Sequence, residues 1–397
     1  MISRRTFLAA TLAAAEPSAV RRYHLSISAD ALDADPELLG LVRDAGVTDV
    51  WIGGFHYGHW YYTPERIDRL LRVVVKAGMA AHVINVPLGH PGDSLGAVTG
   101  QLPLVPPPHW KQGVRLDGKV HWGNSLHAPA TEENAAAARR IAGLGVRRIF
   151  LDDDFRLAQG PGLIGGCRCD QHIEEFRRLH GYGASVKDEL IEAAAKRELT
   201  PVLRAWVDYT CDQLSGCFQA IQKAAPPVEL GIMVMWMGSE KAGIRLTDYR
   251  NVPFRVGELM FDDKSFGRIK GKTDELFSSL FHRRFAQPKL AYSETTAFPA
   301  NRLSAANMVA KLAVSTLSDV RNTMFMSGAT AFPRTHWQTL GPAMRKHARL
   351  HARVVGHTPR GPFKHHWGER SRYVSNDRPN SLFLATGVPF EVIDSPT

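Results

Sequence analysis

Three adjacent carboxylates, Asp152, Asp153 and Asp154, follow the apolar run Val146–Leu151, and Glu294 follows a second such run far along the chain. Three neighbouring acids repel one another, so they need solvent, cations, hydrogen bonds or protonation to coexist. Side chains alternate along a strand, so at least one acid should face the opening the strand points toward, with Arg156 placed to clamp it. Two carboxyl groups on opposite sides of one opening can cleave a glycosidic bond. One, with a raised pKa, protonates the leaving oxygen; the other stays ionised and attacks the anomeric carbon or activates water. Asp154 or Asp153 is the expected acid, Glu294 the nucleophile or base, and Asp152, Arg156 and Glu258 the supporting groups. A solvated helix cap would equally explain the Asp triplet, and a structural salt bridge would explain Glu294.

Aromatic and polar residues gather near the same predicted strand ends. Trp51, His56, His59, Trp60 and Tyr61 end or follow one strand, Trp122 lies in a long Gly- and Pro-rich loop, and Trp236 ends another strand. Sugar rings present apolar C–H faces, so these residues, with Asn85, His336 and Trp337, are the candidate substrate contacts. Cys167, Cys169 and His172 offer thiolates and an imidazole suited to zinc, with His121, His127 and Asp170 as candidates for a fourth ligand. Reduced buried thiols, or disulfides formed after export, are the alternatives. Cys211 and Cys217 read as helical core.

Strands are expected at Tyr23–Ser28, Thr48–Ile52, Ala80–Val86, Val146–Leu151, Glu229–Trp236, Arg255–Phe261, Lys289–Ser293 and Asn322–Met326, separated mostly by amphipathic helices. That rhythm predicts an α/β fold of the (β/α)8 TIM-barrel class, which has no exposed sheet edge. A doubly wound open sheet is disfavoured because no Gly-rich dinucleotide loop follows the first strand. The predicted organisation is an export signal over 1–20, a catalytic barrel over 21–355, and a C-terminal extension or truncated α/β domain over 356–397. In that extension His365–Trp367 and Pro389–Ile393 read as short strands around a helix near Pro379–Leu384, with no visible packing partner for the last strand.

The 397 residues carry a formal net charge of +10, are 44% hydrophobic and hold only four cysteines, so an apolar core rather than a disulfide framework must carry the fold. The basic balance suits anionic surfaces, yet no nucleic-acid motif accompanies it, so nucleic acid is not an expected partner. Ser3-Arg4-Arg5-Thr6-Phe7-Leu8 before an Ala-rich run resembles a twin-arginine signal, implying a periplasmic or extracellular protein. No later apolar run is long enough for stable membrane insertion. A homo-oligomer is compatible with all of this.

The strand-four and strand-seven acids resemble those of clan A glycoside hydrolases, whose acid/base and nucleophile sit at these strand ends. A local likeness joins the segment to family 42 β-galactosidases, which carry Asn-Glu after strand four and then Cys-x-Cys-x-x-Cys ahead of an aromatic-containing helix. The corresponding stretch here is Asp153-Asp154, Cys167-Arg168-Cys169-Asp170-Gln171-His172 and Phe176. Asp154 stands where the family has Glu, one methylene shorter, and His172 where it has Cys. The resemblance implies a secreted glycosidase acting on an oligo- or polysaccharide, retention of configuration, no cofactor for hydrolysis, and a structural zinc. A metal-dependent sugar isomerase or epimerase and a non-catalytic carbohydrate-binding barrel are the alternatives.

Overall fold

The computed structural model describes residues 21–89, 98–99, 102–103, 106–152, 155–160, 162–257, 261–327, 330–377, 379 and 382–395. The expected signal over 1–20, and with it any test of export, lies outside them. Eight parallel strands form the centre: β1 (Arg22–Ser26), β2 (Asp49–His56), β3 (Ala80–Val86), β4 (Arg148–Leu151), β5 (Glu229–Met235), β6 (Phe254–Gly257), β7 (Ala291–Thr296) and β8 (Asn322–Met326). They pair in sequence order, and β1 pairs with both β2 and β8, so the sheet closes into a (β/α)8 barrel. Closure through Leu25↔Val50 and Leu25↔Phe325 disposes of the open-sheet alternative.

Alternation sorts each strand into an outward apolar set and an inward set. On β4, Ile149 and Leu151 join the layer between barrel and helices, while Phe150 packs inward with Trp51, Ile84, Tyr292 and Met324. This inner cluster fills the barrel rather than leaving a pore. Below it lies a polar floor. Asp49 accepts from Arg22 at 2.8 Å and meets His82 at 2.9 Å, and His24 Nδ1 accepts from the Trp51 indole at 3.2 Å. The outer helices start as their sequences dictate. Thr63 and Thr200 each cap a following Pro-initiated helix, Pro64–Lys76 and Pro201–Ala224, because proline has no N–H to leave unpaired and the hydroxyl satisfies another.

Several expectations needed revision. Glu294 lies within β7, which runs on to Thr296; β6 is described as far as Gly257, and 258–260 of its apolar run lie outside the described residues. The helix Val186–Lys196 is an addition to the expected elements; its buried positions Val186, Leu190 and Ala193 lie four and three residues apart on one face. Part of the long third loop folds as an antiparallel pair, Gln112–Val114 with Val120–Asn124. The last strand does have a partner: β9 (Phe363–His366) pairs in parallel with β10 (Phe390–Ile393), and Phe390 packs against Phe277 of the helix Ile269–His282. Between these strands, Glu369–Val374 fastens the extension to the barrel: Arg372 binds Glu240 at 2.9 Å, and Asp377 binds buried Lys241 at 2.7 Å.

Candidate functional site

Inward alternation carries Phe150 on to Asp152, and Tyr292 on to Glu294, so both acids emerge above the inner apolar layer. There they meet the guanidinium of Arg255, which points inward from β6 and is wholly buried. Its Nη2 donates to Asp152, and its Nε lies 3.1 Å from Glu294 Oε2, an ion contact too oblique for a hydrogen bond. Met324 and Met326 sulfurs, 3.1 and 3.2 Å from Nη1, and the ring of Phe150 wall in the cation. Glu294 Oε1 also accepts from Thr296. Thus carboxylates from β4 and β7 share one cation, although the strands are far apart in sequence.

Arg255 is the group that sequence reasoning missed. Its one visible signal is a charge at an inward position of the apolar run Phe254-Arg255-Val256, where only a paired charge can be afforded. A second buried pair also escaped notice: Lys311 Nζ lies 3.3 Å from Glu275 Oε2, with the ammonium over the Phe266 ring. Burial pushes the Glu275 carboxyl upward, the charge of Glu294 adds to that push, and burial pulls Lys311 down.

Asp153, Asp154 and Glu258 lie outside the described residues, as does the side chain of Trp122. Arg156 is buried and donates to Gln159 at 2.8 Å. The β2 group divides. His56, His59, Trp60 and Tyr61 remain partly exposed, with His59-Trp60 folding back on Phe55-His56 as a short antiparallel arm. His56 lies tilted against Tyr61 at 5.1 Å, and burial lowers its imidazole to about 4 against the opposing pulls of the Ile84 carbonyl and Asp152. His336, partly exposed, engages Leu303 O through Nε2 at 3.0 Å.

Trp51, Asn85, Trp236 and Trp337, expected at the substrate surface, are instead buried. Trp51 packs against Phe150 and His82 inside the barrel, because a side chain two residues below the inward Gly53 points into the same interior. Asn85 holds the Phe55 amide at 2.9 Å, Trp236 is almost fully covered, and Trp337 wedges between Phe325 and Phe332 on the helical side.

The sulfur site is displaced by one ligand from its expected composition. His127 Nε2 and His172 Nδ1 lie 3.2 and 3.3 Å from Cys169 Sγ, and the two imidazoles stack at 4.2 Å. These ligand atoms lie within 4.8 Å of one another. Zn–S and Zn–N bonds of about 2.3 and 2.0–2.1 Å in a tetrahedron separate donors by roughly 3.5 Å, so the set fits zinc. Hydrogen bonds from Cys167, His172 and His127 pull the Cys169 thiol down, while the contact with Cys169, with burial, pushes Cys167 up. Cys167 Sγ also accepts from Val114 N at 3.3 Å. Of the other candidates, Asp170 pairs with Lys187 on the surface, and buried His121, lowered to about 4 by burial and the charges of Arg156 and Arg115, is not in the cluster. All four cysteines are free thiols.

No family model matches the sequence, and no curated protein matches it. Solved structures do share the fold. A β-galactosidase from Rahnella sp. R3 superposes with a TM-score of 0.57 at 13% identity over 96% of this chain and 65% of that one. One from the psychrophilic Marinomonas ef1 gives 0.59 at 8% identity over 94% and 70%. A third, from Bacillus circulans sp. alkalophilus, gives 0.56 at 10% identity over 87% and 58%. The chain therefore spans about two thirds of the length of these structures. What they share with it is the (β/α)8 barrel; at these identities the likeness extends to architecture alone.

Proposed function

We propose that the protein is a glycoside hydrolase that cleaves an oligo- or polysaccharide with two carboxyl groups, Asp154 or Asp153 as general acid and Glu294 as nucleophile or base. The observation that carries this reading is the meeting of Asp152 and Glu294 on the single guanidinium of Arg255, which brings the ends of β4 and β7 to one place. Asp152, engaged by Arg255, is left with a positioning role, which leaves proton donation to its two neighbours. The partly exposed rings of His56 and Tyr61, both against the inward Gly53, supply an apolar wall beside polar groups, as a sugar requires, whereas Trp60 packs outward on Phe55 under Arg140. The fold shared with three β-galactosidases agrees with a carbohydrate substrate. His127, Cys169 and His172 would hold a structural zinc that braces the loop after β4, with Cys167 beside it; hydrolysis itself needs no metal.

The test is turnover on a panel of plant and bacterial glycans, with NMR of the first-formed anomer to assign retention or inversion. Glu294→Gln should lower kcat by about 10²–10⁴-fold. Asp154→Asn should do the same while Asp153→Asn is mild, or the reverse. Turnover unaffected by all three substitutions would remove the proposal. Activity abolished by chelation, without hydrolysis products, would replace it with metal-dependent isomerisation.

A further inference from the structure

The final barrel helix, Arg334–Val354, carries an uncompensated basic stripe that no part of the proposed chemistry uses. Arg345, Lys346, Arg349 and Arg353 are all exposed, and none has an ion-pair partner among the described residues. From Arg334 to Gly368 the sequence contains no Asp or Glu. At about 100° per residue, the four cations fall within an arc of roughly 100°, while buried Leu340, Met344, His347 and His351 occupy the opposite side. Like charges three and four residues apart weaken a helix. The helix dipole favours cations only in the last turn, which accounts for Arg353 but not for Arg345, Lys346 and Arg349.

Two leucines flank the stripe on one side. Leu350 is 38% exposed on the same helix, and Leu317, 49% exposed, ends the helix Ala305–Leu317. The two helices meet there, with Thr316 Oγ1 3.0 Å from His347 Nδ1. The helix Ala305–Leu317 brings no carboxylate to the patch, and Asp44, on the neighbouring helix Leu38–Ala45, is paired to Arg43 at 2.8 Å.

We infer that this face docks on an anionic lipid surface, with Arg345, Lys346, Arg349 and Arg353 at the headgroup phosphates and Leu317 and Leu350 dipping between them. An anionic polysaccharide would use the cations, but it would leave the leucines without a role. The helix begins just beyond the carboxyl end of β8 and descends, so the basic half lies toward the floor of the barrel. Docking there leaves the end bearing Asp152 and Glu294 open to solvent. The inference is independent of the proposed function.

The test is co-sedimentation of the full chain with vesicles of phosphatidylglycerol mixed with phosphatidylcholine, against phosphatidylcholine alone. Binding should require the anionic lipid and weaken with salt. Each cation near such a surface contributes about fivefold, so R345E/R349E/R353E should weaken binding by at least about a hundredfold. R69E/K76E/R178E, with the same change in net charge on other faces, should retain it. Arg-to-Gln versions at the same positions serve if the reversed variant does not fold by circular dichroism. L317S/L350S should weaken vesicle binding while leaving any retention on polygalacturonate unchanged. Equal loss in the two charge variants, equal binding to neutral vesicles, or binding to polygalacturonate without binding to vesicles would each overturn the inference.

Discussion

Replacing Arg255 with methionine tests the premise beneath the whole site, that acids from β4 and β7 share one buried cation. The guanidinium is fully buried, and its partners Asp152 and Glu294 are 7% and 5% exposed, so the variant leaves two carboxylates facing each other with little solvent. Removing one partner from a buried ionic group costs about 3–5 kcal/mol, because the remaining charges stay desolvated. At about 2.1 cal/mol/K per residue, unfolding a chain of this length carries an entropy of roughly 0.8 kcal/mol/K, so that cost lowers Tm by about 4–6 °C. Methionine fits the cavity, whose walls already include Met324, Met326 and Phe150, so packing loss contributes little. The companion variant R255M/D152N/E294Q removes every charge of the group, and should recover most of the loss, since apolar or neutral replacements of buried ion clusters are often tolerated. Differential scanning calorimetry of the two variants decides the matter. If R255M melts within about 1 °C of the parent, or the triple variant melts lower than R255M, the three side chains do not form the buried cluster described.

Other outcomes follow from the same physical terms. Burial lowers the imidazoles of His24, His121 and His282 to about 4, with Arg156 and Arg115 adding to the effect at His121. Below pH 6.5 protons therefore favour the unfolded chain. Their contribution is complete above pH 6.5 and is lost as pH falls toward 4, by up to about 1.4 kcal/mol per pH unit for each group. Thermal melts should drop steadily between pH 7 and pH 5, and a flat profile would contradict this. Elemental analysis should find about one zinc per chain, lost in Cys169→Ser and His172→Ala but retained in His121→Ala. Metal-free parent protein of unchanged Tm would count against the zinc site. Gly166 has φ +107°, and a Cβ there would lie 2.6 Å from Thr210 Oγ1 and press on the Trp206 indole. Gly166→Ala should cost more than about 2 kcal/mol in urea unfolding, beyond the usual range for a surface change.

The barrel was legible because its strands are buried on both faces and read as short apolar runs, and β8 begins and ends where the sequence places it. The errors arose where a run extends beyond its pairing. Val146 and Arg147 precede β4, which begins at Arg148. Helix Val186–Lys196 carries a readable but narrow stripe, Val186, Leu190 and Ala193, in a run otherwise rich in charge. The β9–β10 pairing could not be read because parallel partners separated by more than twenty residues leave no local signature.

The site shows the same division between what a strand determines and what it cannot. Alternation predicts that Asp152 and Glu294 point inward once Phe150 and Tyr292 are recognised as inward residues, and both do. It also removes Trp51 from the substrate surface, because Asp49, Trp51 and Gly53 share one face and the lower two must fill the barrel. An aromatic residue at a strand end can meet a sugar only if it lies beyond the inner packed layer, as His56 does and Trp51 does not; Trp60 instead packs outward on Phe55. Arg255 follows from the same rule in reverse. Two inward acids at the ends of β4 and β7 stay buried together only with protonation, hydrogen bonds or a cation, and Arg255, inward on β6 between them, is such a cation.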